Sequence, residues 1–213
     1  MHTSPLPLRP VSSSTPVQSD APANKYWYVQ LHDPGNELFS SRAARFAFLN
    51  IWRIYIASCY PTCAYVLIPG YFASIIEAPG QKTPAELKQV VSRRIATKLS
   101  GLFPACVTEE IAQLLQLREL SNVKECMHCT FDLHTLPQRY RISTDYRSYP
   151  FSSYRALSVG TSSSLKHKTV FDWFGGQLRF SVFHQAYYGW MKPRYEPELP
   201  DSEPVRQAQV AGG

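Results

Sequence analysis

The chain has 213 residues, 44% of them apolar, a net charge of +6 and a pI near 9.1. That is enough for one medium domain with extensions and a real core, and it excludes a chain that is disordered throughout. The basic balance leans toward a polyanionic partner such as nucleic acid. No run approaches the ~18 apolar residues of a membrane span. The first 24 residues hold no apolar secretory core, and Cys59, Cys63, Cys106, Cys126 and Cys129 are odd in number and scattered. A cytoplasmic protein with reduced thiols and no membrane contact is therefore expected.

Residues 1–24 are rich in Pro and Ser and read as a disordered tail. Structure is expected to begin at Lys25. Tyr26 to His32 has strand composition, with Tyr26, Tyr28, Gln30 and His32 on one face and Trp27, Val29 and Leu31 on the other. Asp33-Pro-Gly35 breaks it. Ser40 and Ser41 are candidate N-caps for a helix over about 42–58. Its stripe of Phe48, Leu49, Trp52 and Ile56 reads as core, flanked by Arg42, Arg45 and Arg53. Pro61 stops the helix.

Two apolar strands joined by Pro69-Gly70 follow, because Pro fixes φ and Gly accepts a positive φ. Thr83-Pro84-Ala85-Glu86 is a capping box with Pro at the first helical position. Its helix places Leu87, Val90, Val91, Ile95 and Leu99 on one face, with Lys88, Arg93, Arg94 and Lys98 mostly elsewhere. Thr108-Glu109-Glu110 opens a short helix, Leu117 to Leu120 is a candidate last strand, and Ser121 caps a helix through Cys126 and Met127. The order strand, helix, strand, strand, helix is most of the split βαβ plan. We therefore expect an α+β, ferredoxin-like antiparallel sheet with helices on one face, plus a helical C-terminal extension. The expected division is a core over 25–135, a basic aromatic extension over 136–195 and a disordered tail over 196–213.

Ala64-Tyr-Val-Leu-Ile-Pro69, Tyr149-Pro-Phe-Ser-Ser-Tyr154, and Val170-Phe-Asp-Trp-Phe-Gly-Gly176 followed by Phe183-His184 carry a family signal. Together they resemble the single-tyrosine HUH transposases, especially the REP-associated tyrosine transposases, over about residues 25–190. The resemblance implies metal-dependent DNA strand cleavage and transfer through a phosphotyrosine. The matching residues are missing. Tyr71 and Ala73 stand where the family has its two metal-binding His, and Gly70 where it has Asn. No Tyr lies between Ala73 and Arg139, the stretch in which the family's second helix carries its nucleophile. Two His with one residue between them share a strand face and one metal. An Ala methyl has no lone pair, and a neutral phenol, with a reference pKa of about 10, is a weak ligand. Ser100-Gly-Leu-Phe103 resembles the segment that follows the family's second helix, and Met127-His128 its Ile-His at a helix end.

Residues 139–194 hold nine Arg or Lys against two Asp, with six Tyr and two Trp. Cations neutralise phosphates and rings stack on unpaired bases. The expected DNA-binding residues are Arg93, Arg94, Lys98, Arg139, Arg141, Arg147, Ser152, Ser153 and Arg155. Tyr149, Phe151 and Tyr154 read more as packing groups. Cys126-Met-His128-Cys129 offers potential zinc ligands, but no second pair completes four. No catalytic residue, metal or cofactor is assigned.

The main expectation is a transposase-like protein that binds hairpin or single-stranded DNA without cutting it, nucleoid-associated, with homodimerisation open. One alternative is an active nicking enzyme with a rebuilt site, using Tyr71 with a metal held by His32 or His128. The other is a protein-interaction module on the same scaffold.

Overall fold

The computed structural model describes residues 24–33, 35, 38–100, 108–161 and 163–187. The two expected tails, apart from Asn24, lie outside these residues, as does Gly101 to Phe103. Four strands form one sheet: β1 (Lys25–His32), β2 (Thr62–Ile68), β3 (Tyr71–Ala78) and β4 (Leu115–Leu120). Their order is β2-β3-β1-β4 and every neighbouring pair is antiparallel. This is the ferredoxin-like α+β arrangement: β3 lies between β2 and β1, and β4 returns to the far side of β1.

The turn between β2 and β3 is Pro69-Gly70, with Ile68 opposite Tyr71. Gly70 has φ +72°, and a Cβ there would lie 3.3 Å from the Asp33 carbonyl oxygen. The Asp33 N–H donates to the Gly70 carbonyl at 2.8 Å, so the end of β1 is tied to this corner. Only glycine meets both demands cheaply.

Helix α1 (Arg42–Ile51) is capped by Ser41, whose hydroxyl accepts from the Ala44 N–H. The expected single α-helix does not reach residue 58. From Trp52 to Ile56 the chain widens into a π-helical turn, closed by the Ala57 N–H donating to the Trp52 carbonyl at 2.9 Å. Apolar spacing fits either winding, so the sequence pattern cannot announce the change. Helix α2 (Pro84–Leu99) keeps the whole Thr83–Glu86 capping box. Helix α3 (Thr108–Leu114) runs directly into β4, which starts at Leu115, two residues before the expected Leu117.

Helix α4 (Val123–Arg139) is much longer than expected and is continuous across the anticipated boundary at 135/136. Its N-cap is Asn122, not Ser121. The Asn122 side chain accepts from the Glu125 N–H, while Ser121 only donates its N–H to the Glu125 carboxylate. A 3-10 turn (Tyr146–Ser148) and helices α5 (Tyr154–Val159), α6 (His167–Phe174) and α7 (Gln177–Tyr187) follow.

Strands β1, β2 and β3 are largely buried on both faces, because helices cover both, while the edge strand β4 exposes Gln116, Arg118 and Glu119. Phe48 and Trp52 pack on Phe72 on one side, with α2 beside them. On the other side α4 lies over β2, β3 and β4, and Trp173 of α6 meets Tyr26 edge to face. Helices on a single face are thus only part of the arrangement: the C-terminal elements form a second layer.

Candidate nucleic-acid interface

Tyr71 and Ala73, where the resemblance implies two metal-binding His, lie on β3 beneath α4. Tyr71 and Ala73 are both fully buried. Tyr71 sits opposite His32 in the register, with ring centroids 5.1 Å apart, and Ala73 sits opposite Gln30. The Tyr71 and Tyr28 hydroxyls are 3.4 Å apart. Burial, and then the neighbouring Tyr71, hold the Tyr28 phenol well above its ordinary pKa. The surroundings are rings, the Gln30 amide and the His32 imidazole, with the Cys129 thiol and the Asp132 carboxylate near enough to raise the Tyr28 phenol further. Among the described residues, no group of three or more His, Cys, Asp or Glu is placed to hold a metal ion.

The CxxC pair behaves as core. Burial pushes the Cys126 thiol up to about 12 and the Cys129 thiol to about 11, although Arg118 opposes the latter shift. His128 of α4 lies 6.0 Å, centroid to centroid, from Phe183.

The two most distinctive sequence segments meet at the edge of the sheet. The Leu67 N–H donates to the Phe151 carbonyl at 2.8 Å, and the Ser153 N–H donates to the Tyr65 carbonyl at 3.0 Å. The Tyr149 hydroxyl donates to the Leu67 carbonyl at 2.9 Å, and the Tyr65 N–H donates to the Ser153 hydroxyl at 2.9 Å. Further along, the Lys166 N–H donates to the Thr62 carbonyl at 2.9 Å. An uncovered edge strand offers a row of backbone groups to any other strand. Here residues 149–153 and 166 cover that row on β2. Tyr149, Phe151 and Tyr154 are buried, as packing groups should be.

Behind this edge lies a buried polar chain that the sequence reading missed. His184 Nδ1 is 2.9 Å from the Phe180 carbonyl, which only accepts, so Nδ1 carries the proton and Nε2 is the acceptor. His134 Nδ1, 2.9 Å from His184 Nε2, must then donate. His134 Nε2 is left to accept from the Ser153 hydroxyl at 2.8 Å. The Ser153 oxygen in turn accepts from Tyr65. Every member is satisfied with both imidazoles neutral. Burial lowers the His134 pKa well below its usual value and takes His184 down to about 4.

The helix-end histidine of the resemblance therefore needs correction. Met127-His128 lies mid-helix, because α4 continues to Arg139. His134, near that end, carries no local signal, because its partners Ser153 and His184 lie far from it in the chain.

The nine expected DNA-binding residues do not form one groove. Ser152 and Ser153 are buried, and Ser153 is committed to Tyr65 and His134. The Ser152 hydroxyl accepts from the Tyr154 N–H. Both hydroxyls lie beneath the surface, so both are withdrawn as surface contacts to phosphate. Arg93, Arg94 and Lys98 lie on α2, across the sheet from α4. Arg94 donates to the Tyr55 carbonyl at 3.0 Å, and the Lys98 ammonium lies 4.6 Å from the Tyr55 ring centre.

Arg139, Arg141 and Arg147 gather around the C-terminal end of α4. Arg139 pairs with Asp132 at 3.5 Å and Arg147 with Asp145 at 2.9 Å. Arg141 is exposed and has φ +57°. It stands where a helix usually places glycine: its N–H donates to the Gln138 carbonyl and the Ile142 N–H donates to the Pro137 carbonyl, the Schellman pattern. Arg155 is exposed at the start of α5.

No protein-family profile matches the sequence, and no curated protein matches it at a significant level. Among solved structures, the chain is similar to one described as the REP-associated tyrosine transposase bound to a REP hairpin. The TM-score is 0.47 at 14% identity, over 71% of this chain and 89% of that one. Among the described residues, no helix is long and apolar enough to cross a membrane.

Proposed function

We propose that the protein is a nucleic-acid-binding relative of the single-tyrosine HUH transposases that binds hairpin or single-stranded DNA and does not cut it. One observation carries the reading. The segments that most resemble the family, Ala64 to Pro69 and Tyr149 to Tyr154, hold each other through four hydrogen bonds at the edge of a ferredoxin-like sheet. These segments are distant in sequence, and they share one structural task in the fold. Loss of cleavage is supported by the chemistry of β3, where a methyl and a buried phenol stand in place of two imidazoles. Tyr71 is also a poor nucleophile here, since a phosphodiester has to reach a hydroxyl that no solvent reaches. We place this activity in the cytoplasm, at the nucleoid, carried out by a monomer or a homodimer.

The test is fluorescence anisotropy against labelled hairpin and single-stranded DNA over a salt series, followed by a denaturing gel of the same mixtures with magnesium or manganese. Salt-sensitive binding in the micromolar range with intact DNA is the expected result. Absence of binding at that concentration overturns the DNA reading. Metal-dependent nicking that disappears in Tyr71→Phe overturns the loss of catalysis.

A further inference from the structure

A groove of about 380 Å³ runs beside β2, away from the Tyr71 and Ala73 positions. One wall is α1 and the π-helical turn, with Phe46, Asn50 and Arg53. The floor includes Tyr65, and the other wall carries Pro150 and Ser164. Its volume sits near the lower end of ligand pockets, about 300–1,000 Å³, too small for a duplex but fit for an unpaired nucleotide.

Arg53 is the charged residue among those lining the groove, and Arg42 lies one helical turn from Phe46 on the same wall. Residues 38–76, which supply that wall and the Tyr65 floor, contain no Asp or Glu. On the facing stretch Arg147, Lys166 and Lys168 are paired with Asp145, Glu77 and Asp172, and Arg155 is exposed. These two stretches are far apart in the chain, and the covering of the β2 edge brings them together. Exposed guanidinium groups on a wall without carboxylates favour an anionic chain over a neutral ligand.

A ring is also presented. Phe46 is 47% exposed, although it is a large apolar residue on a helix whose neighbours Phe48 and Ile51 are buried. It leans on Phe151, with centroids 4.9 Å apart, and the Arg42 guanidinium lies 5.7 Å from its centre. Arg45 lies 5.0 Å over Phe151. An exposed ring braced from behind and flanked by cations is the arrangement on which unpaired bases stack while their phosphates are neutralised. The π-helical turn that carries Trp52 and Arg53 adds to this. Such turns are rare and are frequently found at functional sites.

We infer that this groove is the seat of an unpaired stretch of single-stranded DNA, with a base stacked on Phe46 and its phosphates held by Arg42 and Arg53. The inference rests on the DNA-binding reading above and names where, and in what form, the strand is held. It departs from the expectation that Arg93, Arg94 and Lys98 carry phosphate contacts.

The experiment compares wild type, Phe46→Ala, Arg53→Glu and Lys124→Glu against a labelled single-stranded oligonucleotide and an abasic oligonucleotide of equal length. Circular dichroism and thermal melts confirm that each variant is folded. Phe46→Ala is expected to weaken binding to the normal strand by roughly 5- to 150-fold, the range of one lost base stack, and to leave abasic binding unchanged. Arg53→Glu weakens both and lowers the salt slope by about one phosphate. Lys124→Glu, an exposed cation at the start of α4 across the sheet from the groove, binds as wild type does. If wild type binds the strand but Phe46→Ala and Arg53→Glu bind equally well, the groove assignment is wrong and the DNA reading stands. Equal loss on normal and abasic strands in Phe46→Ala refutes stacking. If wild type binds no DNA, both the reading and the groove assignment fail.

Discussion

Lowering the pH from 7 to 5 should destabilise the protein through the buried His134–His184 pair, before its carboxylates begin to titrate. A histidine whose folded pKa lies below its unfolded one is charged in the unfolded chain and neutral in the folded one. Stability is then whole above the unfolded pKa, about 6.5, and falls as the pH drops toward the folded value. Burial takes His184 to about 4. At pH 5 the unfolded side chain is almost fully protonated and the folded one almost fully neutral, a difference worth about 2 kcal/mol for this residue. His134 is shifted in the same direction by burial and then by its neighbour, and adds to the loss. The geometry explains the reluctance to protonate. Each imidazole already donates from Nδ1, and a proton on either Nε2 displaces an accepted hydrogen bond with no water to replace it. Urea unfolding at pH 7, 6 and 5 reads the change as a falling midpoint at constant slope. Proton NMR of the two imidazoles should show no titration above pH 5. Midpoints near 6.5 for both rings, or unfolding midpoints that do not move over this range, refute the assignment of a neutral buried pair.

Ser153→Ala removes the hydroxyl that joins the Tyr65 N–H to His134 Nε2, leaving two buried polar groups unsatisfied. A loss of about 2–4 kcal/mol in chemical denaturation is expected. Gly70→Ala combines a positive φ with a Cβ 3.3 Å from the Asp33 carbonyl oxygen. It should cost about 1–2 kcal/mol, read as a lower melting temperature. Arg141→Gly relieves a left-handed backbone at the end of α4 and should raise stability by up to about 1 kcal/mol. If Arg141 also touches phosphate, the same variant lowers the salt slope of DNA binding by about one.

Much of the scaffold is legible in the sequence because its signals are local. Thr83 to Glu86 specifies the start of α2 by two reciprocal hydrogen bonds within one turn. Pro69-Gly70 specifies the β2–β3 corner by backbone preference alone. What escapes is whatever depends on distant partners. Ser152 and Ser153 stand among arginines in sequence and invite assignment to phosphate, yet Ser153 is fixed by Tyr65, 88 positions away. His134 reads as an isolated histidine, because its partners Ser153 and His184 lie 19 and 50 positions from it. The length of α4 is hidden by Pro137, which marks a helix end in most settings and here sits in the last turn. The π-helical turn shares its apolar spacing with an ordinary helix. The Phe46 groove joins two segments that composition alone does not connect.

The sealing of β2 by residues 149–153 and 166 has a consequence for how the molecule is made. A nascent chain that has delivered all four strands still displays an open ribbon margin until Lys166 has left the ribosome. That margin is available to any neighbouring chain for intermolecular pairing. A product halted near residue 145 should therefore clump in the cell, while one extended beyond α7 should stay dispersed. The final third of the polypeptide thus serves as an in-built chaperone for the first two.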